Sequence, residues 1–229
     1  HDSCETPPHL TGGFAEACYI GRGTGVVKIP AEVSDTAAAP ANCALATVAA
    51  GLEAGRIRPL DNVLVQGAGA LGVYAAALAA YSGCRRVIVT DVDNGRLEFV
   101  QGFGATDTIN AGRMSQDKFV GTVKALTGGF GVDCVLEVAG APELIPAGLA
   151  CLRIGGRYVE IGSSFPGARF SLDASDIVWR RLTITGIHNY DTVHLQQAVD
   201  FLAAASQKYP FERIVTHRYP LEEINKAMK

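Results

Sequence analysis

Asn62-Val63-Leu64-Val65-Gln66-Gly67-Ala68-Gly69-Ala70-Leu71-Gly72 is the stretch on which the fold turns. A short apolar run without charge reads as a buried strand, and a G-x-G-x-x-G follows it without a gap. Alone the glycine pattern is weak, because a chain with 26 glycines produces it by chance. Its place between a strand and a helical segment running to about Tyr81 gives it weight. In that setting Gly67 permits a tight turn, Gly69 lets a pyrophosphate approach the backbone, and Gly72 lets the helix pack against the strand. Ala70 and Leu71 open the helix, whose free N–H groups and partial positive charge face the phosphates. Asp91 lies 19 residues after Gly72, at the end of a second run, Arg86–Asp91. A carboxylate there hydrogen-bonds both hydroxyls of an adenosine ribose and repels a 2′-phosphate, which favours NAD over NADP. Arg96 works against that preference. A glycine turn beside a surface aspartate is the plainer alternative.

Outward from this stretch the same alternation continues. Thr106–Asn110, Val132–Val138, Arg157–Ile161 and Leu182–Ile187 read as further strands, six in all. Helices are expected at about 94–102, at Gln116–Leu126 and at Pro142–Leu152. Strands separated by helices of about 10–15 residues imply βαβ units and a doubly wound parallel sheet covered on both faces. On this reading residues 36–187 form the dinucleotide-binding domain and 188–229 a return segment. The latter holds a helix near Val193–Ala205, a short strand at Ile214–Thr216 and a helical start at Leu221–Lys229. Upstream, Ser34-Asp35-Thr36 caps an Ala-rich helix from Ala37 to Ala54, with Pro40 in its first turn. Residues 1–35 are rich in Pro and Gly, with strand candidates at Gly13–Ile20 and Val26–Pro30.

Twenty Lys and Arg against 23 Asp and Glu leave a net charge of −3. That balance removes the electrostatic argument for nucleic acid or an anionic membrane as partner. The uncharged span Val63–Cys84 is explained by a buried strand and its helix, without a membrane. Six cysteines without a C-x-x-C pair read as reduced thiols of a cytoplasmic protein. His1, His9, His188, His194 and His217 make no metal-binding spacing, and no G-x-S-x-G elbow or P-loop lysine is present.

Ligands of such sheets bind beyond the carboxyl ends of the strands, where strand order reverses. Backbone groups at Val138 and Ala139, and at Ile161, Gly162 and Ser163, are therefore candidates to face a nicotinamide. Plain strand ends are the alternative. Cys43, read from its neighbours alone, is a small buried residue on an Ala-rich helix.

The ordered series Gly12-Gly13-Phe14-Ala15-Glu16, Ala41-Asn42-Cys43-Ala44-Leu45-Ala46-Thr47, Val65–Gly72, Asp91, Glu137-Val138-Ala139-Gly140, Gly155-Gly156-Arg157-Tyr158-Val159 and Leu221–Asn225 resembles the medium-chain dehydrogenase/reductase superfamily, in its zinc-containing alcohol dehydrogenase branch. The resemblance implies a Rossmann domain, with residues 1–35 as the remnant of a β-rich GroES-like catalytic domain. It makes Cys43 the match for a catalytic-zinc ligand, Thr47 a residue near the nicotinamide, and Asp91 and Arg96 the contacts of the adenosine ribose. It implies hydride transfer between an alcohol or polyol and NAD, and a homo-oligomer (dimer or tetramer). The family's second catalytic cysteine and Gly-His-Glu segment have no match here, and His1 in place of Met suggests a processed or partial chain. One thiolate cannot hold Zn²⁺, which takes three protein ligands in a catalytic site. The expectation is therefore a chain that binds nucleotide and does not turn over alone. Rivals are a zinc-free quinone-reductase-type oxidoreductase, which Cys43 argues against, a Rossmann-fold methyltransferase and a non-enzymatic nucleotide sensor.

Overall fold

The computed structural model describes residues 12–228. His1, Cys4 and His9 lie outside them. Chain order is α1 (Asp35–Ala38), a π-helical turn (Ala41–Leu45), α2 (Ala46–Ala54), β1 (Asn62–Gln66), α3 (Ala70–Tyr81), β2 (Arg86–Asp91), α4 (Asn94–Gln101), β3 (Asp107–Asn110), α5 (Gln116–Leu126), β4 (Val132–Glu137), α6 (Ile145–Cys151), β5 (Leu152–Glu160), α7 (Ala174–Arg180), β6 (Thr183–Gly186), α8 (Thr192–Ala205) and α9 (Ile224–Ala227). The six strands form one sheet in the order β3-β2-β1-β4-β5-β6, and every pairing is parallel. Strand order reverses between β1 and β4, so a crevice opens above their carboxyl ends.

Strand periodicity divides the core in two. Val63 and Val65 of β1, Val87 and Val89 of β2, and Leu136 of β4 face one side, where α2, α3 and α8 cover them. Leu64, Ile88 and Val135 face the other, under α5 and α6. Both faces are buried, which is why these strands carry no alternating polar residues. An aromatic group of Tyr74, Phe103, Phe201, Tyr209 and Phe211 ties α3 to α8 and the segment after it.

Several expectations need correction. Residues 12–33 join no strand ladder among the described residues, so the candidates at Gly13–Ile20 and Val26–Pro30 are extended or turning chain. Phe14, Tyr19, Ile20 and Val26 are exposed, and a strand without a neighbour has nothing to satisfy its backbone. Ile214–Thr216 is not a strand either, because Phe211–Ile214 forms a 3₁₀ turn instead. The Ala-rich helix is broken at Ala39–Pro40 into α1, the π turn and α2. Ser34 does cap α1, accepting from the Ala37 N–H. β5 starts five residues earlier than expected, at Leu152 rather than Arg157, and its register shifts before Cys134 of β4. α7 lies outside the helices expected from sequence, although Asp173 caps it by accepting from the Ser175 N–H.

Candidate functional site

The crevice above β1 and β4 holds a cleft of about 520 Å³, within the range of ligand sites. Gly67, Gly69, Asp91, Arg96, Val138 and Ala139 all line it. β1 runs straight into the glycine turn, where Gly67 has φ +110, a conformation open to glycine. The Gly67 N–H donates to the Thr90 carbonyl and the Val138 N–H to the Gln66 carbonyl, which locks the turn between β2 and β4.

The three glycines of the motif are constrained differently. A Cβ on Gly67 would come 3.0 Å from the Ala139 backbone, and one on Gly72 would collide with the Gly67 carbonyl. Gly72 is therefore where the first turn of α3 presses on the loop beneath it. A Cβ on Gly69 would meet nothing within 4 Å, although Gly69 lines the cleft. That open space at the N-terminus of α3, where backbone N–H groups lack helical partners, suits a phosphate group. Ala70, Leu71 and Gly72 form the first turn of α3 and do not line the cleft themselves.

Asp91 is nearly buried, with 8% of its side chain exposed. Oδ2 accepts from the Ala68 N–H at 2.8 Å, and Oδ1 from the Val92 and Asp93 N–H groups at 2.8 and 3.0 Å. Three of a carboxylate's roughly four acceptor positions are therefore engaged with backbone. Sequence reasoning missed this tie between the second strand and the glycine turn, since no spacing reports it. One acceptor position is left for a ribose hydroxyl in this geometry, not the two of the sequence expectation. Arg96 Nη1 stands 4.0 Å from Asp91 Oδ2 on a side chain that is 61% exposed, a weak surface pair.

The remaining candidates lie elsewhere. Ile161 and Ser163 line a second hollow of about 460 Å³, beside Gly186, Ile187 and His188 at the ends of β5 and β6. Gly162 lines neither space and packs against Gly140 of the turn after β4. Thr47 donates to the Cys43 carbonyl at 2.6 Å, and neither residue lines the cleft or this hollow.

Cys43 is exposed in the π turn, not buried in an α-helix, and this corrects the reading from its neighbours. The wider turn of a π-helix displaces the side chain from the buried face that Ala41, Ala44 and Leu45 occupy. Among the described residues no three His, Cys, Asp or Glu side chains come together to hold a metal ion. The described donor set thus does not fit a zinc centre. Burial raises the Cys134 and Cys151 thiols to about 12, which leaves them inert as ligands or nucleophiles. No helix of the described residues is long and apolar enough to cross a membrane.

The family model for zinc-binding dehydrogenases matches residues 70–204. The chain is 29% identical over 219 residues to a 5-exo-hydroxycamphor dehydrogenase of Pseudomonas putida, covering 95% of this chain and 61% of that protein. It is 30% identical over 219 residues to an L-threonine 3-dehydrogenase of Shewanella sp. (strain ANA-3), covering 94% and 60%. Among solved structures, an alcohol dehydrogenase of Thermotoga maritima superimposes with a TM-score of 0.92 at 28% identity, over 99% of this chain and 62% of that one. A benzyl alcohol dehydrogenase of Acinetobacter calcoaceticus gives 0.77 at 28% identity, over 88% and 55%. The chain spans about three-fifths of the length of the curated relatives it matches. With a parallel sheet whose order reverses above a glycine turn, and a family model matched from α3 through α8, this chain belongs to the zinc-binding dehydrogenase family.

Proposed function

We propose that this chain is the nucleotide-binding part of an oxidoreductase that moves a hydride between an alcohol or polyol and NAD. The observation that carries the reading is the cleft at the reversal of strand order, floored by the glycine turn and walled by Asp91. The adenosine ribose lies against Asp91, the pyrophosphate in the open space at Gly69, and the nicotinamide toward the turns after β4 and β5. Bound there, the dinucleotide supplies the hydride acceptor. The chain's own part is to position it: Val138 and Ala139 line one side of its path, and the nicotinamide end reaches toward the neighbouring hollow at Ile161 and Ser163. Residues 36–187 are the unit that does this, 188–228 pack back upon it, and 1–35 belong with a catalytic domain. Relatives named for alcohols, threonine and hydroxycamphor support a hydroxyl-bearing substrate. The edge position of β6, with Ile184 exposed on it and Val178 and Trp179 exposed on α7, supports a homo-oligomer. Cys43, Cys84, Cys134 and Cys151 as unpaired thiols support a cytoplasmic setting.

A titration with NADH and NADPH, followed by nicotinamide fluorescence, tests the reading. Saturable NADH binding is expected, with NADPH about tenfold weaker because its 2′-phosphate meets the Asp91 carboxylate. Binding of neither would overturn the proposal, and methyltransferase chemistry would be tested next with S-adenosylmethionine.

Cys43 is one ligand where a catalytic site takes three, so the chain is expected to retain no stoichiometric zinc after dialysis, and Cys43→Ser to leave the NADH affinity unchanged. Elemental analysis giving one tightly held zinc per chain, lost in Cys43→Ser, would contradict this.

A further inference from the structure

Two carboxyl groups stand side by side under the turns that face the nicotinamide half of the cleft. Glu137 closes β4, Glu160 closes β5, and the two are paired in register. Glu137 is fully buried. Its Oε1 accepts from the Ala139 and Gly140 N–H groups, both at 2.9 Å, so this carboxyl pins the turn after β4. Glu160 Oε1 accepts from the Ser163 N–H at 2.8 Å and pins the turn after β5 in the same way. The two turns press on each other: a Cβ on Gly140 would come 2.9 Å from the Gly162 carbonyl, and one on Gly162 would lie 2.6 Å from Glu137 Oε2. The second oxygens, Glu137 Oε2 and Glu160 Oε2, are both buried and meet no N–H or O–H donor among the described residues. Their register pairing on neighbouring strands sends both side chains to the same face of the sheet, one beside the other. A proton shared by two carboxyl groups so placed relieves their repulsion and supplies the hydrogen bond that two bare carboxylates cannot make.

We propose, building on the nucleotide reading above, that Glu137 and Glu160 hold one proton between them, and that this O–H···O bond keeps the turns after β4 and β5 in register as the support for the nicotinamide half of the dinucleotide. Both are positioning residues, since each acts through backbone N–H groups. Burial, then the Glu160 side chain, push the Glu137 carboxyl up to about 7, while N–H groups of its own turn pull the other way. Among the described residues Glu160 is the charge that bears on Glu137, and no cation opposes it. Tyr158 of β5 and Gln66 of β1 are the polar neighbours, and they are engaged with each other at 2.9 Å. The Ser163 hydroxyl is buried without a partner among the described residues.

The test compares NADH with ADP-ribose, which lacks the nicotinamide, across about pH 6 to about pH 8.5. In the unaltered chain, loss of the shared proton sets two carboxylates against each other, and the NADH dissociation constant is expected to rise about fivefold while that of ADP-ribose stays level. Glu137→Gln and Glu160→Gln each supply a permanent N–H in place of the proton and should bind NADH without this pH dependence. The double substitution sets two amide donors face to face and should weaken NADH at every pH. NADH binding that is flat with pH while ADP-ribose binds, or single variants that keep the unaltered profile, overturns the proposal.

If neither ligand binds, the nucleotide reading falls and the shared proton is judged on thermal unfolding of the chain alone. Between the ordinary carboxyl value of 4.5 and about 7 the folded pair holds a proton that the unfolded chain has released, so stability falls as pH rises through that window. Loss of that slope in each single Gln variant supports the shared proton, and an unchanged slope overturns it.

Discussion

Gly72→Ala is expected to lower the melting temperature by about 6–12 °C and to abolish NADH binding with it. The added methyl would run into the Gly67 carbonyl, and neither side has a flexible end that can give way. Gly72 is held in α3 and Gly67 in a turn bonded to β2 and β4, so relief requires the helix to lift from the sheet. Overpacking of this kind costs about 1–3 kcal/mol and more when backbone meets backbone, and the upper end applies here. Gly69→Ala supplies the contrast. Gly69 has φ −72 and its Cβ would enter open space, so the fold should keep its melting temperature. Its methyl would nonetheless stand in the cleft beside the helix N-terminus and should weaken NADH about tenfold. Calorimetry of the two variants, with NADH titrations alongside, separates packing from binding. A Gly72→Ala chain that melts like the unaltered one would refute the helix–turn contact, and a Gly69→Ala chain with unaltered affinity would refute the phosphate position.

Asp91→Asn carries the second large effect. The carboxylate joins three backbone N–H groups from two segments, and either orientation of an amide turns an NH₂ toward N–H groups that now find an oxygen. A hydrogen bond to a charged group contributes about 1.5–3 kcal/mol, so at least one such loss is expected in the stability of the chain. Losing the ribose contact as well should reduce NADH affinity by about ten- to a hundredfold. NADPH should lose less, because the negative charge facing its 2′-phosphate is gone and Arg96 is released. The ratio of the two dissociation constants should therefore move toward NADPH. Unaltered NADH affinity together with an unaltered ratio would remove Asp91 from the site.

What the chain's own order of residues revealed was the part governed by local rules. A charge-free run, a glycine turn and an uninterrupted helical segment lie within 20 residues from Asn62 to Tyr81, and β1 and α3 appear where that order places them. The same holds for β2, α4 and α5, whose caps Asp93 and Ser115 are visible as residue types. α7 was harder, because Val178 and Trp179 are exposed on it and no apolar stripe marks a core-facing side. The segments 13–20 and 26–30 misled for the opposite reason: strand-like residues make a strand only when a neighbour supplies its hydrogen bonds.

Sequence by itself determined that this protein has a doubly wound parallel sheet with a glycine turn and an acidic residue at the end of the next strand. Periodicity and turn chemistry are properties of neighbours along the chain. Tertiary structure alone decided what those residues touch. Asp91 reaches back 23 positions to the Ala68 N–H, Ile161 and Ser163 fall in a separate hollow, and Cys43 turns outward. Glu137 and Glu160 meet as a buried pair only because β4 and β5 align in register. A one-residue slip would have turned one of them to the opposite face of the sheet, and that choice is made by packing between strands, which no local pattern records.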